Sequence, residues 1–192
     1  MAEASDHRND FPWYGVVPGT APLEQGDLLD RVPVPVLPIS YARLATEPEG
    51  AEFQEPVTVQ RFNVAVMTQT CDLLRFVDDE EVILCPRFDY LQIAEERPSL
   101  KGKGGWKALV AERVIGSYLM TRCQLDGHTF DYQVIDLRTV FSLGYSVVRA
   151  IAESTRERIR LLPPYREHLG QAFARQFMRV GLPRDLPREY PY

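Results

Sequence analysis

The residues of this chain best suited to chemistry lie in the stretch VAVMTQTCDLL, Val64 to Leu74. It begins as an apolar run and then presents Thr68, Gln69, Thr70, Cys71 and Asp72 in succession. A cysteine leaving a strand, followed at once by an acid able to cap a new turn, can lie near backbone N–H groups that favour thiolate. Asp72 pulls the other way, because an adjacent negative charge raises a thiol pKa. A nucleophilic cysteine also needs a base, and none of the three histidines, His7, His128 and His168, is near Cys71 in sequence. Two readings of Cys71 compete: a catalytic or redox-sensing thiol, with Asp72 a candidate catalytic residue beside it, and a packed or hydrogen-bonded structural residue. The triplet Thr68-Gln69-Thr70 divides in the same way. Its hydroxyls and amide can hydrogen-bond a ligand such as a base edge or a phosphate, or they can hold the turn that leaves the strand.

Arginine supplies the other candidate chemistry. Arg61 lies inside the strongest β pattern, where it could stabilise a developing phosphate charge, face solvent, or pair with an acid such as Glu55. Arg166, Glu167 and His168 form the triplet REH in the first turn of the last helix, with Glu167 suited to the helix N-terminus and His168 a candidate general base. From Thr155 to the end, eight arginines, among them Arg166, Arg175 and Arg179, stand against four acids, whereas the whole chain carries a formal charge of −5. That balance disfavours a general nucleic-acid coat, which needs clustered cations. A basic tail on an acidic body can contact RNA, a phosphorylated ligand, or the body itself.

These residues must be positioned by recognisable elements. Residues 1–22 read as an irregular arm, with Pro12, Pro18 and Pro22 and the aromatics Trp13 and Tyr14. VPVPVLPI suits an edge strand, because Pro33, Pro35 and Pro38 lack backbone donors. Val57 to Gln69 predicts a strand or strand pair, and Val82 to Cys85 a short buried strand stopped by Pro86. LKGKGGWK reads as a mobile, cationic loop that lacks the Walker pattern. SYLMTRCQL and TFDYQVIDL predict a second hairpin about the Asp126-Gly127 turn, and Val140 to Glu153 a short amphipathic helix. Pro163-Pro164 and Gly181 bracket a last helix whose core stripe is Tyr165, Leu169, Ala172, Phe173, Phe177 and Val180, with His168, Gln171, Arg175 and Arg179 largely on the other side.

The order EQGDLL, RFNVAVMTQ, EVILCPRFDYL resembles the opening of the PemK/MazF growth-inhibitor toxins. The resemblance covers about a third of the chain. It implies a small SH3-like barrel that dimerises, cleaves RNA and is held by an antitoxin, with Gly26-Asp27 in the first motif, Arg61 as the catalytic arginine and Val82 to Pro86 as the third strand. The chain departs from that pattern in Phe62-Asn63, which stands where the family has proline. It departs again in Arg87-Phe88-Asp89, which replaces the threonine-bearing turn of the RNase site, and in its long C-terminal half.

The predicted protein is mainly β with C-terminal helices (β+α). It comprises an irregular arm (1–22), a partly open SH3-like barrel (23–137), helices packed on the barrel (138–182) and a Pro-rich tail (183–192). The function expected is that of a non-enzymatic or catalytically degenerate bacterial protein of a stress or phage-defence module. It would bind a protein partner, a second copy or RNA, with Thr68, Gln69, Thr70, Arg166, Arg175 and Arg179 as binding residues. One alternative is a toxin-type endoribonuclease in which Arg61 stabilises the transition state and Asp89 or His168 moves protons. The other is an enzyme or redox sensor that depends on Cys71. Three widely spaced cysteines without a CxxC argue against disulfides and structural zinc, so neither metal nor cofactor is expected. The polar, acidic beginning and the lack of a long apolar window predict a cytoplasmic protein without membrane contact.

Overall fold

The alternating run after Val57 becomes the centre of a sheet. The structure, a computed structural model, describes residues 11–77 and 80–178. In chain order its elements are β1 (Tyr14–Pro18), β2 (Asp27–Val36), β3 (Thr58–Val66), α1 (Thr70–Leu73), β4 (Glu81–Asp89), α2 (Tyr90–Glu96), α3 (Gly102–Val110) and β5 (Ser117–Met120). They continue with β6 (Cys123–Leu125), β7 (His128–Phe130), β8 (Gln133–Asp136), β9 (Phe141–Gly144), α4 (Tyr145–Glu153), β10 (Glu157–Leu161) and α5 (Tyr165–Phe177). Eight strands form one antiparallel sheet in the order β1-β10-β2-β3-β4-β8-β5, with β9 also paired to β4, while β6 and β7 make a separate hairpin. The chain is therefore mainly β with helices, and its sheet is open, with β1 and β5 at the two ends.

Period-two alternation sorts β3 onto both faces of the sheet. Val64 and Val66 pack with Leu29, Val32 and Leu84, and with Val148 and Ala152 of α4. Ala65 joins Leu28, Cys85, Ile135 and Leu161 on the other face, which Leu169 of α5 helps to cover. A smaller cluster of Ile93, Leu100 and Leu109 sets α2 and α3 against Val134 of β8. Each fully buried aliphatic side chain contributes roughly 1.5–3 kcal/mol, so the two faces of β3 and its neighbours hold the molecule together.

Four sequence expectations change. Within the arm expected to be irregular, Tyr14–Pro18 is a strand, because β10 supplies its ladder from Tyr14↔Leu161 to Pro18↔Glu157. Residues 138–182 contain strands β9 and β10 as well as helices, so the sheet extends on both sides of the expected 23–137 boundary. Strand β4 runs through Pro86 to Asp89. It passes there from β9, paired at Glu81 to Leu84, to β8, paired at Arg87 to Asp89, and Pro86 has a partner only on β3. The loop expected at LKGKGGWK is largely helix α3. A Cβ on Gly105 would lie 2.2 Å from the Leu100 carbonyl oxygen, so the glycine is a close-packing residue.

The prolines of β2 meet the edge requirement. β10 pairs with β2 only at Asp27 and Leu28, so Pro33 and Pro35 have a ladder neighbour on the β3 side alone. The register shifts between Leu29 and Val32, with Arg31 in the left-handed region at φ 54°. The expected core position Val180, the candidate Arg179, the first ten residues and the tail over 183–192 lie outside the described residues.

Candidate functional site

The stretch 68–72 behaves as a turn. Thr68 is buried, and its Oγ1 accepts the Ile83 N–H at 2.8 Å. Thr70 Oγ1 accepts the Gln25 N–H at 3.2 Å, and the Asp72 N–H donates to Gln69 O at 3.0 Å. Both hydroxyls thus accept backbone N–H groups. Gln69, Cys71 and Asp72 are exposed, and the Cys71 Sγ lies 3.6 Å from Gln69 Oε1 and 3.7 Å from Asp72 Oδ1. Arg61 is exposed too, with Nη1 donating to Arg31 O at 3.3 Å. Glu55 pairs with Arg43 at 2.7 Å instead of Arg61. Asp89 accepts a hydrogen bond from Gln133 Nε2 at 3.0 Å, and Gln133 in turn receives one from the buried Arg87.

Among the described residues, the arginines after Thr155 engage mainly the body. Arg158 and Arg160 project from β10 into a buried cluster around Asp27, a residue with no exposed surface. Arg158 donates through Nε to Asp27 Oδ2 at 3.0 Å. Its other nitrogens take the carbonyls of Pro18, Gly19, Ala21 and Pro22 at 2.7–2.9 Å. Arg160 is shared between Asp27 and Glu24, and Arg166 reaches Glu24 at 2.8 Å. Burial opposes the charge on Arg160, but hydrogen bonds and attraction from Asp27 and Glu24 outweigh it and raise its pKa. The Gly26-Asp27 motif is therefore structural. Gly26, at φ 84°, lets the chain pass so close to Leu161 that a Cβ would lie 3.0 Å from that side chain, and Asp27 neutralises the cluster.

A cavity of about 360 Å³ lies between α3, β5 and α5. Its walls are apolar, with five tryptophan and tyrosine side chains set among aliphatic ones. Trp13 stacks on Tyr165 at 3.7 Å between ring centroids and 12° between planes, and Trp106 meets Tyr132 edge-on at 4.8 Å. Both tryptophans of the chain line it. Along α5, Tyr165, His168, Ala172 and Arg175 face it at helical spacing. This corrects the expected division of that helix, in which His168 and Arg175 fell away from the stripe of Tyr165 and Ala172. Phe177, expected in the core, is exposed.

The rim is polar. Arg175 Nη2 donates to Glu112 Oε2 at 2.7 Å, and His168 is exposed beside them. Below, burial and then the Glu112 charge raise the pKa of Tyr118, whose protonated hydroxyl donates to Tyr165 O at 3.0 Å. From Lys101 to Arg122, the segment that carries α3 and β5, the sequence places Lys101, Lys103, Lys107, Arg113 and Arg122 against the single acid Glu112. The three lysines and Arg113 are exposed, and Arg122 stacks over the Tyr132 ring at 4.9 Å. The segment that lines the cavity through Trp106, Glu112 and Tyr118 is thus rich in cations, none of them among the lining residues themselves, and Arg122 is paired with Asp131 at 2.7 Å.

Of the candidate catalytic residues only His168 lines this cavity, and neither Arg61, Cys71 nor Asp72 does. Of the candidate binding residues Arg175 lines it, while Arg166 is held at Glu24. Sequence reasoning missed Trp13, Trp106, Tyr118, Tyr132 and Glu112. The lysines around Trp106 were the available signal. Among the described residues no group of three or more His, Cys, Asp or Glu side chains is placed to hold a metal ion, and no helix is long and apolar enough to cross a membrane. The chain matches no protein-family model, and a comparison with curated proteins finds none similar to it.

Proposed function

We propose that this protein is a binding module that takes a nucleobase, from single-stranded RNA or from a free nucleotide, into its aromatic cavity and leaves it chemically unchanged. The observation that carries this reading is the set of five tryptophan and tyrosine side chains lining the cavity, one wall of which comes from the segment Lys101 to Arg122, whose cations lie outside the lining. Sequence-tolerant binding of single strands combines aromatic platforms, worth about 1–3 kcal/mol per stacked base, with cations that follow the phosphates. A volume of about 360 Å³ is at the small end of the range for ligand pockets and has room for a base with its sugar. The non-catalytic half of the proposal rests on dispersion: Arg61 and Cys71 lie away from the cavity, and Asp89 is engaged by Gln133. On the same reading the sheet is a partly open SH3-like barrel. The register shift at Arg31 and the exchange of partners along β4 are features that bend a sheet toward closure.

Because both tryptophans line the cavity, intrinsic fluorescence reports occupancy directly. Titration with a short single-stranded RNA should quench the emission, and rising salt should weaken the binding. Charge reversal at Lys103 and Lys107 should lower both the affinity and the salt slope. Unchanged emission with RNA and with millimolar nucleotides, in protein shown to be folded, would sink the proposal. The same RNA recovered after incubation with chelator should be intact. Cleavage abolished by Arg61→Ala would instead establish the toxin-type activity.

A further inference from the structure

Glu112 occupies a position where its residue type is doubly disfavoured. It follows the C-terminus of α3 in a two-bond closing motif, with the Glu112 N–H donating to Leu109 O and the Arg113 N–H to Ala108 O, each at 2.9 Å. Its φ of 52° lies in the left-handed region, where glycine is the usual occupant of this position. Its carboxylate also stands at the negative end of the helix dipole. The ion pair to Arg175 offsets little of this, because the two side chains are 53% and 58% exposed. A residue kept against local stability at the mouth of a cavity is a functional signature.

Resting on the nucleobase reading, we infer that Glu112 is the specificity residue of the cavity and selects guanine. An ionised carboxylate only accepts hydrogen bonds. Guanine presents a ring N–H and an amino group side by side on one edge, whereas adenine presents its amino group beside an acceptor. Arg175 holds Glu112 Oε2 and thereby steers the carboxylate, and its guanidinium adds a positive charge to the same lining. That combination suits a nucleotide, with donor edge and phosphate on one molecule, while the Arg175–Glu112 pair leaves no net negative charge to favour an organic ammonium ion, the other natural guest of an aromatic pocket.

The test is tryptophan fluorescence titration of the full chain with GMP, IMP, AMP and tetramethylammonium, repeated on Glu112→Gln and Glu112→Gly. GMP should bind about tenfold or more tighter than AMP, with IMP between them, as expected for a paired hydrogen-bond contact to a base edge. Both variants should abolish the preference while AMP affinity changes less than about twofold, and Glu112→Gly should raise the melting temperature. Equal affinity for GMP and AMP, or a preference retained in Glu112→Gln, overturns the assignment of Glu112 and leaves the nucleobase reading standing. Quenching by tetramethylammonium but by no nucleotide, or no quenching by any of them, overturns the assignment of Glu112, and overturns the nucleobase reading as well when single-stranded RNA also leaves the emission unchanged.

Discussion

Replacing Asp27 with asparagine should destabilise the fold far more than its one-atom change suggests. Asp27 has no exposed surface and accepts hydrogen bonds from Arg158 Nε, from Arg160 and from the Glu24 N–H. Arg158 is itself only 2% exposed, and its remaining donors are taken by four neutral carbonyls. Asparagine keeps the shape but removes the one acid that neutralises Arg158, and it turns an amide donor toward guanidinium donors. Opening a buried pair in this way costs about 3–5 kcal/mol, a large fraction of a typical stability of roughly 5–15 kcal/mol. At about 2–4 °C per kcal/mol for a chain of this size, a loss of roughly 4 kcal/mol lowers the melting temperature by roughly 8–16 °C. Urea unfolding of Asp27→Asn beside Glu55→Gln makes the comparison, because Glu55 pairs with Arg43 across surface that is 43% and 69% exposed and should matter by no more than about 1 kcal/mol. Equal midpoints for the two variants would refute the assignment of Asp27 as the neutralising centre.

Two further outcomes test other parts of the molecule. Alkylation of native protein at pH 8 should modify Cys71 alone, because Cys71 is exposed while burial pushes the Cys85 thiol up to about 12 and also raises that of Cys123; peptide mapping that finds Cys85 labelled before unfolding would contradict the packing around β4. Asp136 is buried, and burial raises its pKa, but hydrogen bonds from Arg97, Thr139 and Arg138 outweigh this and hold it below the ordinary 3.8. Its contribution is therefore complete above pH 3.8 and is lost as pH falls through the lower folded value. Asp136→Asn should cost about 3 kcal/mol at neutral pH and flatten the acid limb of the stability curve; an unchanged acid limb in urea titrations would count against the pairing.

The sequence by itself determined the class of structure and several local conformations. Alternation from Val57 onward made the central strand, Pro33 and Pro35 demanded a strand side without a ladder, and the Asp126-Gly127 pair closed a hairpin. These outcomes depend on neighbours within a few residues, and short-range rules describe such neighbours.

Tertiary structure decided which charges are spent and which remain available. Arg158, Arg160 and Arg166 read in sequence as part of a basic tail, yet pairing of β10 with β1 and β2 carries them to Asp27 and Glu24, more than a hundred residues away. The same crossing forms a strand from Tyr14–Pro18, which has no pattern of its own, and brings Trp13 onto Tyr165. The cavity is assembled from the arm, α3, β5 and α5, and no two of these are adjacent in sequence except α3 and β5. Helical spacing could show that Tyr165, His168, Ala172 and Arg175 share a face. Only the meeting of that face with β5, where the Tyr118 hydroxyl donates to Tyr165 O, makes it a wall of a cavity, because a concave surface is a property of elements meeting in space.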